Sequence, residues 1–437
     1  MKFGYFCNTT NWNHKPYDKL LDEARDITTY CDQNNWNSIW YTEHHFNHEG
    51  MECCTNPLMM GADAAARTKN IRIGQACNVI TFHNPIKMAE DIALLDQLSK
   101  GRVEVGIGRG IYGREAINLN IEADMKDQAK NFRLFEETLT ILKKAWKEKF
   151  FNHKGEFYTY PTPNYVWQHD MSPPSKEFLN METNVMEKIS VVPKPYQTPY
   201  PPIHQVVDGI RSIEWAAQHG INIIMWIPPV KALKVKFEAY KKAKSEAEKK
   251  DVALGKGVTL VRDMFVADTM EEAKEKAGQH IINYMKWVCH WRGLGNHMEP
   301  GEELPVTKGK LDLLTYDFLH KRNLLFGTPE YVTDKINELK LELEKVSVVV
   351  LPFRLTVSDA PLVIIEAGLL GKPLVALQTP GVEEFINAFS GTSVSTPKGL
   401  SDAISVALSK DTVTTNNAQS QWTDWAMRIK PIIEHIL

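Results

Sequence analysis

Short apolar runs alternate with longer stretches of helical periodicity through the first three-quarters of the chain. Eight runs read as strands: Lys2–Phe6, Ser38–Thr42, Ile71–Ile80, Val103–Gly108, Ile203–Val207, Ile221–Ile227, Val258–Ala267 and Val348–Leu351. Helical patterns separate most of them. Leu20, Ala24, Ile27 and Cys31 repeat at helical spacing, as do Val332, Ile336, Leu339, Leu343 and Val346, so each segment buries one stripe. Asn84-Pro85 is an N-cap and first-turn pair, and Gly101 closes the helix that it opens. Strands alternating with helices in this number predict a (β/α)8 TIM barrel over residues 1–345. A doubly wound open sheet is the rival, but no GxGxxG follows the first strand.

Two stretches break the rhythm. Residues 160–200 are rich in Pro, Asn, Met and Tyr, and residues 291–325 carry Gly293, Gly295, Pro300, Gly301 and Gly309. Long irregular segments inside a compact domain are read as candidate lids over a site. From about residue 346 the pattern becomes that of a separate small α/β segment, 346–437. Its strands are expected at 373–377 and 392–395, and its helices at 361–370, 382–389, 400–408 and 422–436.

Chemistry gathers where barrel enzymes keep it, at the ends of strands. The second predicted strand runs into Tyr41-Thr42-Glu43-His44-His45-Phe46, and the fourth into Gly106-Ile107-Gly108-Arg109-Gly110. A histidine titrates near neutrality and can pass protons in either direction, which makes His44 the candidate acid/base. Its plainer alternative is a hydrogen bond to Glu43. His45, one residue on, points to the opposite face and reads as structural. Arg109 calls for an anion, and a phosphate matches its fork; a core carboxylate is the alternative. The turn Asp208-Gly209-Ile210-Arg211-Ser212 opens a helix whose free N–H groups suit a phosphate, with the Ser212 hydroxyl beside them. Trp226 ends the sixth strand, where it can pack on a ligand or in the core.

Composition narrows the classes. The 437 residues are 43% hydrophobic and 24% charged with net charge −3, so no basic stripe points to a nucleic acid. Lys231–Lys250 mixes Lys with Glu and apolar residues as a solvated helix face does. No run reaches the roughly 18–20 apolar residues of a membrane helix, and the N-terminus does not read as a signal peptide. The six cysteines include no CxxC pair, which favours a reducing cytoplasm over a disulfide frame. His83, His204, His290 and His297 lack metal-ligand spacing, so no metal is expected.

Residues 1 to about 340 resemble the bacterial luciferase-like, flavin-dependent monooxygenases. The resemblance rests on Met1–Gly4, Glu43–Phe46, Asn56-Pro57, Ala66–Gly74, Ala89-Glu90-Asp91, Leu95–Arg102, Gly106–Tyr112, Glu214–Ala217 with Gly220, and Gly327–Glu330 in shared order. It implies a barrel that binds reduced FMN as cosubstrate at the strand ends. There O2 forms a flavin 4a-hydroperoxide that oxygenates a small organic substrate. It assigns His44 as the acid/base and the turn with Asp208, Gly209 and Ser212 to the FMN phosphate, and leaves Arg109 as the candidate for contact with the flavin phosphate or ring. It places a strained peptide behind the flavin ring at Ala76-Cys77-Asn78, and Tyr112 near the ring. Asp208-Gly209 stand where luciferase has Glu-Ser. Gly108 stands where the luciferase alpha subunit has a reactive Cys, which argues against light emission. With no second nucleotide motif in the barrel, a separate NAD(P)H:flavin reductase is implied, and the family implies a homodimer. The alternatives are a coenzyme F420-dependent oxidoreductase on the same barrel, or a non-catalytic flavin-binding fusion protein.

The tail resembles something else. Ser358–Ala367 and Gly371–Ala376 look like part of the nucleotide-binding domain of a GT-B glycosyltransferase, which would place Glu366 on a donor ribose. Ser358 stands where that family pairs a second acid, with Asp359 displaced by one. About 90 residues cannot make the two domains of such an enzyme, so the tail reads as a fused remnant.

Overall fold

The computed structural model describes residues 2–303 and 311–342, together with the strands Val348–Leu351, Val375–Leu377 and Thr392–Val394. Eight parallel strands form a ring: Phe3–Cys7, Ser38–Tyr41, Arg72–Gln75, Val103–Gly108, Ile203–Val206, Asn222–Trp226, Val258–Val261 and Val348–Leu351. Each pairs with the next in chain order, and Val348–Leu351 pairs with Phe3–Cys7 to complete the circuit. This is the expected (β/α)8 barrel. None of the described helices is long and apolar enough to cross a membrane.

Two expected strands are shorter than their apolar runs. Ile71–Ile80 breaks after Gln75, passes through a cis Ala76–Cys77 peptide, resumes at Asn78–Val79 and ends in a 3₁₀ turn, Ile80–Phe82. Val258–Ala267 breaks after Val261. Its second half, Met264–Val266, leaves the ring and pairs with Leu325–Gly327. Hydrophobicity does not reveal either break, because apolar residues stand on both sides of each. In the tail, Val375–Leu377 and Thr392–Val394 pair in parallel at the expected places. The expected tail helices and Glu366 lie outside the described residues.

The floor and the flank of the barrel are tied by charge. Inside, Glu104 accepts from His204 at 2.7 Å and from the Arg72 guanidinium. Burial pushes the Glu104 carboxyl up, but His204 and Arg72 outweigh it and hold it low. Arg102 donates to the carbonyls of Ala65, Thr68, Ile71 and Ser99, which locks the helix Pro57–Arg67 and the helix Pro85–Leu98 to the strand starts.

The end of the segment 160–200 does not lie over the site. Lys194 caps the helix Gln128–Lys147 at its C-terminal carbonyls, Ala145 and Glu148. Gln197 binds Asp96 and the carbonyl of Val103. These are helix ends and strand starts, so the last part of the segment is anchored at the end of the barrel opposite the strand C-termini, whereas its first residue, Tyr160, accepts from Asn84 at the start of the helix Pro85–Leu98.

The third and fourth strands approach so closely that side chains are excluded. A Cβ at Gly106 would lie 1.5 Å from the carbonyl oxygen of Gln75, and one at Gly108 would lie 2.3 Å from the Cys77 sulfur. Gly106→Ala therefore forces the Gln75–Cys77 backbone to move. It is expected to destabilise the protein by about 3 kcal/mol or more, read as a lower chemical denaturation midpoint. Gly108→Ala, which meets a side chain rather than backbone, is expected to cost less.

Candidate active site

The site is built on the C-terminal ends of the strands. Beyond Tyr41 the chain runs extended, and His44 and His45 turn to opposite sides. His44 places Nε2 3.4 Å from Glu52 and Nδ1 3.6 Å from Glu115. His45 instead meets Glu43 at 3.0 Å and donates its backbone N–H to Glu115 at 2.7 Å. Glu43 is thus occupied by His45, by His83 at 2.6 Å and by the N–H of Val79 at 2.6 Å, and is not the partner of His44.

Glu52 is the hub that sequence reasoning missed. It is 4% exposed and accepts from the phenols of Tyr112 and Tyr284, each at 2.8 Å. Asn8 donates to the Tyr284 oxygen at 2.6 Å. The loop carrying Glu52 is pinned by Cys53 N–H to Thr9 and His44 N–H to Cys54, at 2.7 and 2.8 Å. Nothing in Gly50-Met51-Glu52-Cys53-Cys54 signals this role, because the contact joins an irregular loop to the helix Met270–Arg292. Burial pushes the His44 imidazolium down, but Glu52 and Glu115 outweigh it and raise its pKa. Burial, with the Glu52 charge added, holds both phenols well above their ordinary range.

The helix Met270–Arg292 roofs this group. Trp287 meets the Tyr112 ring edge-on at 5.4 Å, Trp291 lies 5.6 Å from it, and Arg114 covers Trp291. The expected lid over 291–325 therefore starts at the mouth. Below it, partly buried Phe6, Ala76, Val206 and Trp226 surround a core of Trp40, Ile224 and Val261. Trp226 does not pack as a plain core residue; its indole N–H donates to Asp263 at 3.1 Å. Cys77 fills the space that faces Gly108, and burial pushes its thiol up.

Arg109 has no carboxylate partner among the described residues. One guanidinium nitrogen lies 3.5 Å from the Asn131 side chain, and the group sits over the Phe132 ring at 5.5 Å. Burial alone lowers its pKa. Phe132 also packs edge-on against Trp215 at 5.5 Å. Trp215 belongs to the helix Ile210–Gln218, so Arg109 and that helix share a neighbour. Gly209 is the N-cap, no side chain caps the helix, and a Cβ at Gly209 would meet nothing within 4 Å. Ser212 stands in the first turn. Asp208 accepts at its carbonyl from the Lys236 ammonium. An uncompensated guanidinium and an open helix N-terminus suit a phosphate. Partly buried Ala76, Val206 and Trp226 offer apolar surface at the same end of the barrel.

Because His44 is raised, it adds stability below its unfolded value of about 6.5. That stability is lost as pH rises through the higher folded value. Glu52→Gln is expected to lower the folded value and narrow this interval. Histidine NMR titration should show the His44 resonance titrating at lower pH in the variant.

Residues 1–342 match the family described as luciferase-like monooxygenase. Over 344 residues the chain is 28% identical to the oxygenase component of the flavin-dependent trigonelline monooxygenase of Acinetobacter baylyi, covering 77% of this chain and 85% of that protein. It is also 28% identical over 253 residues to the alkanal monooxygenase alpha chain of Photorhabdus luminescens, and there it spans only 59% of the relative. Among solved structures, the FMN complex of the oxygenating constituent of 3,6-diketocamphane monooxygenase from Pseudomonas putida shares the fold. Its TM-score is 0.64 at 21% identity, covering 80% of this chain and 91% of that one.

Proposed function

The chain belongs to the luciferase-like monooxygenase family, and from that premise we propose that it is the oxygenase component of a two-part system. It takes reduced FMN from a separate NAD(P)H:flavin reductase and uses O2 to oxygenate a small organic substrate. One observation supports this most. The His44–Glu52–Tyr112 group, the Ala76–Cys77 turn and the uncompensated Arg109 beside an open helix N-terminus all belong to the same end of one barrel.

Reduced FMN, when bound, supplies the electrons that activate O2. The residues do the rest. Arg109, the first-turn amides after Gly209 and the Ser212 hydroxyl would hold the phosphate, and Asp208 sets the start of that turn. Ala76 and Cys77, with Gly106 and Gly108 behind them, leave a flat bed for the ring. His44, whose pKa Glu52 and Glu115 raise, can hold and release a proton at its Nε2, 3.4 Å from Glu52. Tyr112 and the tryptophans above it exclude water. The reading includes a homodimer formed through barrel helices. It also includes a junction near residue 346, so that the eighth barrel strand, Val348–Leu351, comes from the glycosyltransferase-like tail, a fused remnant without transfer activity.

Arg109→Ala is expected to weaken FMN binding by roughly tenfold to a hundredfold, the value of charge-assisted bonds to one phosphate. Riboflavin, which lacks the phosphate, should bind the variant and the parent equally in a fluorescence titration. When O2 is admitted to protein pre-mixed anaerobically with reduced FMN, flavin reoxidation should be slower than in free solution and faster again in His44→Ala. Hydride exchange with coenzyme F420 without O2 uptake would replace this reading by the F420-dependent one.

A further inference from the structure

One charged group at the mouth has no task in the account above. Arg292 is the last residue of the helix Met270–Arg292 and lies over the Trp226 ring at 5.6 Å. Its Nε is buried without a hydrogen-bond partner. Among the described residues no carboxylate comes within ion-pair distance of its guanidinium. A C-terminal arginine commonly turns back onto the last carbonyls of its own helix. Arg292 does not; the Cys289 carbonyl is taken by the backbone N–H of Gly293 at 2.8 Å. Burial works against its charge, but Asp208, Tyr112, Glu52 and Tyr284 surround it and keep it ionised. The groups that sustain the cation are those around the mouth, yet none of them bonds to it. A desolvated guanidinium with free donors is costly unless an anion completes it.

We propose that Arg292 is the receptor for a carboxylate on the substrate, which it holds over Trp226 and below Trp287 and Trp291, beside His44. The inference deepens the oxygenase reading and rests on it for the identity of the ligand as substrate. A monoanion is favoured over a phosphate by charge. Glu52, Asp208 and Glu115 lie around the same mouth, and one guanidinium cannot offset a dianion among them. The phosphate has its own place at Arg109, which sits on Phe132 rather than on Trp226. A planar or apolar body suits the Trp226 indole beneath Arg292, with the carboxylate as the single polar anchor.

The test is calorimetric titration of the full chain with benzoate, nicotinate and hexanoate, each against its uncharged primary amide. At least one carboxylate should bind about tenfold or more tightly than its amide, the worth of one charge-assisted contact. The preference should vanish in Arg292→Gln, return in part in Arg292→Lys, which keeps the charge and loses the fork, and persist in Arg109→Gln. The proposal is overturned if no pair shows a preference, or if a preference survives Arg292→Gln. It is also overturned if Arg292→Gln weakens reduced-FMN binding and leaves the carboxylate preference intact, which would make Arg292 a flavin contact. The two readings fail separately. Protein that binds reduced FMN and consumes O2 without preferring any carboxylate loses only the Arg292 inference. Protein that prefers carboxylates but neither binds FMN nor consumes O2 keeps the receptor and loses the oxygenase reading.

Discussion

The close approach of the third and fourth strands is the constraint on which the site depends. Where the Gln75 carbonyl presses toward Gly106, no side chain can stand between. The third strand breaks there, and its chain turns through Ala76–Cys77 and resumes beside the fourth strand at Asn78–Val79. That detour puts a flat stretch of backbone at the barrel mouth. It also swings Val79 to where its N–H meets Glu43, and Asn78 to where its amide meets the Gly106 carbonyl at 3.0 Å. The glycine pair, the detour and the Glu43–His45–His83 group are therefore one packing solution. Cys77 occupies the volume that a side chain at position 108 would need, so the thiol sits on one strand because it cannot sit on the other.

A second arrangement is electrostatic. The mouth carries Glu52, Glu115 and Asp208 on one account and His44, Arg109 and Arg292 on the other. They are not paired one to one. Glu52 takes two phenols and His44, Glu115 takes a backbone N–H, Arg109 meets only the Asn131 side chain, and Arg292 is left with long-range attraction rather than bonds. Cations sustained by a field but unsatisfied at contact distance are suited to receive anionic groups from a ligand. The same field raises the His44 pKa despite its burial.

Much of this was legible in the residues. Strand-end placement singled out His44 and Arg109, and a free helix start after Gly209 followed from a turn sequence leading into an amphipathic stretch. Glu52, Tyr284 and Arg292 were not legible. Glu52 lies in a loop with no periodicity. Tyr284, Trp287, Trp291 and Arg292 do repeat at helical spacing, but a helix face that roofs a site and one that packs on a core have the same pattern. The irregular segment 160–200 misled for a related reason. Composition identifies a long loop, but only its place between a helix end and a strand start puts its last part at the far end of the barrel.

The sequence by itself determined the barrel, since eight short apolar runs separated by helical stripes have few other ways to bury both faces of a parallel sheet. It also determined which chemical groups stand at strand ends, because that follows from chain order alone. The tertiary structure decided which of these groups meet. His44 rather than His45 faces Glu52, Glu43 serves His45 and His83, and Arg109 shares Phe132 with the helix beyond Gly209. Some of those pairings join near neighbours and others span tens of residues, and distance in the chain does not reveal which groups meet across a closed ring of strands.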